Sequence, residues 1–216
     1  MSGPGTGEDP AGRRGSYAKG IARRQEILDR AIEVFAERGS KRTSLRAIAS
    51  EVGVTHAALT HYFGSLDELL VAVYLESERR GDEQEDGLDE ATPAEAMRRA
   101  AQQNRTIPGL VQLYSSLVAT ALEGAHPAPQ EFVTARFVRL RHELAQRVVR
   151  LQETGEIRRD VDPALVAALV IAASDGLQTQ WLLDPSVDHE GALAMLDTLL
   201  SGSDEHPKGS GLRASR

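Results

Sequence analysis

Residues 45–63 gather side chains that hydrogen-bond readily: Thr55, His56, Thr60, His61 and Tyr62. Hydroxyls, imidazoles and a phenol donate to and accept from polar partners, but nothing adjacent would activate one as a nucleophile. The two histidines stand five residues apart and diverge around a helix, whereas paired metal ligands use a spacing of four. No metal site is expected. The chain has no cysteine, no glycine-rich phosphate loop, no His-Glu-x-x-His and no Gly-x-Ser-x-Gly. These observations predict no catalytic residues, no enzyme activity and no cofactor. The chemistry on offer is recognition.

The pattern around these residues says how they are held. Leu45, Ile48, Ala49 and Val52 fall three and four apart, on one helical face. Gly53 suits the left-handed position past a helix end, and Thr55 suits the N-cap of a second helix with Ala58, Leu59 and Tyr62 as its apolar positions. Two short helices, a tight turn and small Ala49 at the crossing make a helix-turn-helix pattern. Such a second helix fits a DNA major groove about 12 Å wide. The competing reading is an ordinary tight corner in an all-α protein.

Upstream, Ile27, Leu28, Ala31, Ile32, Val34 and Phe35 predict a helix beginning near Ile21 and ended by Gly39. Downstream, Ser65-Leu66-Asp67-Glu68 reads as a capping box opening a helix through Leu69, Leu70, Val73 and Tyr74 to Arg80. Thr92-Pro93-Ala94-Glu95 opens the next helix, and Pro108 a further one carrying Leu110, Tyr114 and Leu117. The turn at His126-Pro127 and Pro129 precedes a long helix predicted from Glu131 to about Thr154. Asp162-Pro163 starts a helix that is apolar nearly all round, and Asp188 caps a last amphipathic one.

The 216 residues carry a net charge of −7, yet residues 1–64 sum to +3 and the remainder to −10. A basic head on an acidic body suits a polyanionic partner at one end. At 41% hydrophobic and 26% charged, the composition is that of a soluble globular protein. The first twenty residues lack the apolar core of a signal peptide, and the longest purely apolar run, 164–173, falls short of the ~18 residues a span needs. No membrane association and a cytoplasmic location are expected.

The long helix, Gly39, Thr43-Ser44-Leu45-Arg46-Ala47-Ile48-Ala49, Gly53-Val54-Thr55, Leu59, His61-Tyr62-Phe63-Gly64-Ser65 and Glu68-Leu69-Leu70, in that order, resemble the tetracycline-repressor (TetR) family over residues 22–70. Two positions depart from it. Leu66 stands where the family usually has a phosphate-binding lysine, and Thr60 where it often has tyrosine. The departures imply one phosphate contact fewer and a changed operator sequence.

The resemblance implies an all-α homodimer: a helix-turn-helix head at 21–66 and a helical ligand-binding and dimerisation domain at 67–201. Residues 1–20 and 202–216 are expected to be disordered. Function would be sequence-specific binding of a near-palindromic double-stranded operator, more often repressive, released by a small molecule. Candidate DNA contacts are Thr43, Ser44, Arg46, Thr55, His56, Ala57, Thr60, His61 and Tyr62. Candidate effector contacts are Tyr74, Met97, Tyr114, Phe132, Arg136 and Phe137. Arg136 has two readings: an anchor for an anionic ligand group, or a structural arginine that reaches solvent or pairs with an acid. The dimer interface is expected on the last two helices, at Leu165, Ala168, Leu169, Ala172, Leu177, Trp181, Leu193, Leu196 and Leu200. The alternative function is a dimeric helical adaptor whose head contacts a protein.

Overall fold

A computed structural model describes residues 10–38, 45–82, 91–107 and 109–202. Among the described residues the chain is helical: α1 (Pro10–Arg38), α2 (Leu45–Val52), α3 (His56–Phe63), α4 (Leu66–Asp82), α5 (Pro93–Thr106), α6 (Leu110–Leu122), α7 (Pro127–Thr154), α8 (Pro163–Leu183) and α9 (His189–Leu200). One isolated antiparallel bridge pairs Ile157 with Ser201. The all-α class is as expected.

Local sequence explains most helix ends. The Asp162 carboxylate accepts from the N–H groups of Ala164 and Leu165 at 2.8 and 3.0 Å, and Asp188 accepts from Gly191 at 2.8 Å. The Thr92 hydroxyl accepts from the Glu95 N–H at 3.1 Å. Glu95 does not close that capping box; its carboxylate binds Arg99 at 2.5 Å instead.

Three boundaries differ from the sequence reading. Helix α1 begins at Pro10, well inside the segment expected to be disordered. Proline at a first helical position gives up no hydrogen bond, and alanines and arginines follow it. Helix α7 begins at Pro127 rather than Glu131. First-turn N–H groups have no intrahelical acceptor, so Pro127 and Pro129 fit there. Helix α6 starts at Leu110, after Gly109 at φ +78°.

The chain divides into two compact units: residues 1–86 with 100–137, and residues 87–99 with 138–216. In the first, Ile27, Leu28 and Ala31 of α1, Ala49 of α2, Leu59 and Phe63 of α3, Leu69, Val73 and Tyr74 of α4, and Leu110, Leu113, Tyr114 and Leu117 of α6 form one core. The helix-turn-helix pair therefore shares its interior with α4 and α6. Burial of this kind, at about 25 cal/mol per Å² of apolar surface, is what holds helices as short as α2 and α3.

In the second unit α8 packs against α9, and Val148, Val170 and Leu193 are among its most buried side chains. By length and mean hydropathy (1.2) α8 also meets the composition of a membrane span, which a count of uninterrupted apolar residues missed. One such helix is weak evidence of a span; here Val166, Ala167, Val170 and Ile171 are buried, while Leu165 and Leu169 are exposed.

Candidate nucleic-acid interface

The turn between α2 and α3 is fixed by its own backbone. Gly53 has φ +71°; its N–H reaches the Ser50 carbonyl at 3.4 Å, and the Val54 N–H reaches that of Ala49 at 2.9 Å. This paired closure of the last turn is the Schellman arrangement, which calls for a left-handed residue at the glycine position. The Thr55 hydroxyl then accepts from the Ala58 N–H at 3.1 Å, as an N-cap.

Helix α3 is held from below and free above. Leu59 is fully buried and Phe63 nearly so, while Thr55, His56, Ala57, Thr60 and His61 are exposed. Thr60 donates its hydroxyl proton to the His56 carbonyl at 3.0 Å, leaving its oxygen lone pairs outward. Tyr62 is half-buried against the core and meets the His61 ring edge-on at 5.2 Å between centroids. The face thus presents two imidazoles and two hydroxyls on a rigid, eight-residue helix. Of the other candidates, Thr43, Ser44 and the side chain of Arg46 lie outside the described residues.

The far end of α3 is equally determined. Gly64, at φ +74°, donates to the Thr60 carbonyl at 2.8 Å. The Ser65 hydroxyl caps α4 through the Glu68 N–H at 3.1 Å and lies 3.3 Å from the Glu68 carboxylate. The Ser65 N–H goes to the Phe63 carbonyl, so the capping box closes side chain to side chain.

One residue at this interface escaped the sequence reading. The Arg24 guanidinium of α1 stacks over the Phe63 ring, 4.6 Å from its centroid, and so brings a cation to the end of α3. An arginine near the start of an amphipathic helix looks solvated in sequence. Only the α1–α3 packing reveals its neighbour.

The expected effector residues separate into two groups. Tyr74 stacks against Tyr114 and meets Phe132 edge-on, each at 5.4 Å, within the first unit. The Arg136 guanidinium lies over both tyrosine rings, 5.5 Å from Tyr74 and 5.2 Å from Tyr114, and forms a hydrogen-bonded ion pair with Glu78. Burial opposes its charge, but Tyr74, Glu78 and Tyr114 outweigh burial and raise its pKa. Pairing with an acid is one of the two readings made from sequence. Phe137 is half-buried, and Met97 is buried within the second unit.

On the last two helices Leu165 and Leu169 are exposed, as are Ala168 and Ala172; Leu177, Trp181, Leu196 and Leu200 are half-buried. Leu193 is fully enclosed by its own chain and offers a partner nothing, which corrects its place in the expected interface. Leu183, Met195 and Leu199 are exposed as well. A helix apolar all round does not say which stripe faces out.

Comparison with known proteins agrees with this geometry. Residues 27–73 match the model of bacterial regulatory proteins of the tetR family, and residues 112–203 that of the BetI-type transcriptional repressor C-terminal domain. The HTH-type transcriptional regulator BetI of Brucella anthropi is 44% identical over 50 residues, 23% of this chain and 26% of that protein, so the match spans about a quarter of the relative's length. The HTH-type transcriptional regulator PksA of Bacillus subtilis is 26% identical over 177 residues, 76% of this chain and 80% of that one. A transcriptional regulator from Saccharomonospora viridis, solved in complex with choline, shares the fold with a TM-score of 0.62 at 20% identity, covering 83% of this chain and 95% of its own. The two family models together take in the helix-turn-helix pair, the first half of the supporting α4 and nearly all of the helices from α6 onward. The chain belongs to the tetR family of bacterial regulatory proteins.

Proposed function

We propose that this protein is a homodimeric, sequence-specific DNA-binding transcription regulator, a repressor released from a near-palindromic operator by a small molecule. The observation that carries the reading is the exposed face of α3, with His56, Thr60, His61 and half-buried Tyr62 outward over a core that fixes the helix from beneath. Phosphate contacts would set the register, and Thr60, His56 and Ala57 would face base edges. The head would comprise residues 21–66, and residues 67–201 the ligand-binding and dimerisation part.

Dimerisation is assigned to the exposed apolar stripe of α8, centred on Leu165 and Leu169, together with Trp181 and the exposed side of α9. Two copies would then place two α3 helices in successive major grooves. Support for a small-molecule effector comes from the choline bound by the S. viridis relative. The chain works by binding, without catalysis and without a cofactor, and acts in the cytoplasm where its operator lies.

Selection of bound sequences from random duplex DNA tests this directly. Enrichment of a palindrome with half-sites about one helical turn apart is the expected outcome. A folded dimer that enriches nothing, before and after refolding to strip bound ligand, overturns it.

A further inference from the structure

The cluster around Arg136 is a cage for positive charge that its own chain has filled. Tyr74 and Tyr114 present ring faces, Phe132 closes on Tyr74, and Glu78 supplies a carboxylate. Aromatic faces with one acid are what recognise organic cations: the ring quadrupole and the carboxylate attract the same sign. The residues that build the cage are held. Tyr74 and Tyr114 belong to the core of the first unit, and Phe132 packs against that core.

The occupant is held less firmly. Arg136 arrives from α7 on a flexible stem, and its Nε–H is buried with no hydrogen-bond acceptor. A guanidinium with one donor unsatisfied loses less on leaving than one fully bonded. An incoming anion would meet Glu78 and the negative faces of the rings. An incoming cation would meet what Arg136 already meets.

We propose that the effector is a compact organic cation that takes the place of the Arg136 guanidinium on Tyr74, Tyr114 and Glu78, so that Arg136 is a tethered competitor for the effector site. This rests on the reading of the chain as an effector-controlled regulator. The exchange breaks the Glu78–Arg136 tie between α4 and α7, and α4 starts at Leu66, just past the end of α3 at Phe63. The competitor sets the threshold: only a cation that binds the cage better than an arginine at high effective concentration opens it.

The test is calorimetric titration of the full chain with tetramethylammonium, and in parallel with pivalate, a carboxylate of similar shape, at constant ionic strength. Arg136→Met removes the competing charge and keeps an apolar stem, and it is expected to bind tetramethylammonium about tenfold more tightly than the natural protein. Adding Tyr114→Leu is expected to abolish that gain. The proposal fails if Arg136→Met binds tetramethylammonium no better than the natural protein. It fails equally if the natural protein binds pivalate and Arg136→Met does not, since Arg136 would then be an anion anchor. Should Arg136→Met not fold, Glu78→Gln with Arg136→Met leaves no unpaired charge. That pair must bind tetramethylammonium more tightly than Glu78→Gln alone, and equal binding overturns the proposal. Operator selection is scored separately: a chain that selects DNA but gains no cation binding on Arg136→Met refutes the cage and leaves the regulator reading intact.

Discussion

At the scale of single residues, the proposed recognition surface divides into side chains that fix α3 and exposed side chains that would be free to read. Thr55 is partly committed, because its hydroxyl accepts the cap bond from Ala58. Thr60 and His61 are exposed and play no part in the core. Replacing both with alanine should weaken operator binding by about 0.5–1.5 kcal/mol for each hydrogen bond removed, from Thr60 to a base edge and from His61 to a phosphate, while the melting temperature holds. Gel-shift titration beside thermal denaturation separates the two effects, and unchanged affinity would remove both from the interface. Gly53 acts through conformation alone, since nothing lies within 4 Å of where a Cβ would stand. Gly53→Ala should cost about 1–2 kcal/mol of stability from the left-handed backbone, and Gly53→Asn less, as read from denaturant midpoints.

At the scale of elements, α4 is the member to which the others are fastened. At its start, Asp67 lies 2.6 Å from the His126 ring in the turn before α7. Toward its end, Glu76 receives Arg79 at 2.8 Å, Arg80 at 2.9 Å and Gln25 of α1 at 3.2 Å, while Arg80 also binds Asp29 of α1. Hydrogen bonding from Arg79, against the penalty of burial, holds the Glu76 carboxyl at about 2 instead of the ordinary 4.5. A carboxyl depressed in the folded state stabilises fully above its unfolded value and loses that contribution as pH falls. The stability difference between the natural protein and Glu76→Gln should therefore be constant near neutrality and shrink between pH 4.5 and about 2. Denaturant midpoints across that range check it, and a pH-independent difference would show that Glu76 is not part of a charged network. Arg24 belongs to the same scale, since α1 carries it to the end of α3. Arg24→Ala should weaken binding about equally on all DNA sequences and reduce the salt slope by about 0.9 for each phosphate that Arg24 neutralises. Affinity measured over a series of salt concentrations reads that slope, and an unchanged one would place Arg24 away from the DNA.

At the scale of the whole molecule, the proposed function needs two copies, because one eight-residue helix would read too few base pairs for a specific site. Leu165 and Leu169 are 65% and 67% exposed, an apolar patch that a monomer would leave in water. Leu165→Asp with Leu169→Asp should yield folded monomers by sedimentation, with operator affinity falling steeply and helix content unchanged. A persistent dimer would move the interface off this stripe of α8.

Much of this was legible in the sequence because it is local. Caps, stops and apolar spacing act within a few residues, so Gly53, Thr55, Ser65, Asp162 and Asp188 state their roles in any context. The helix-turn-helix and the all-α class followed from such signals, and so did the outward placing of His56, Ala57, Thr60 and His61 on α3. The starts of α1, α6 and α7, which differ from the sequence reading, all involve proline or glycine near a helix end, where the same residue can stop a helix or open one. What the sequence could not decide was pairing at a distance: Glu78 with Arg136, Asp67 with His126, Arg24 over Phe63. Nor could it say which leucines of α8 and α9 are enclosed and which face out. Those follow from how helices cross, and one apolar face is compatible with many crossings. Local chemistry determined the elements and the exposed face of α3. Tertiary packing decided which charges meet, and so that Arg136 lies over Tyr74 and Tyr114 and pairs with Glu78.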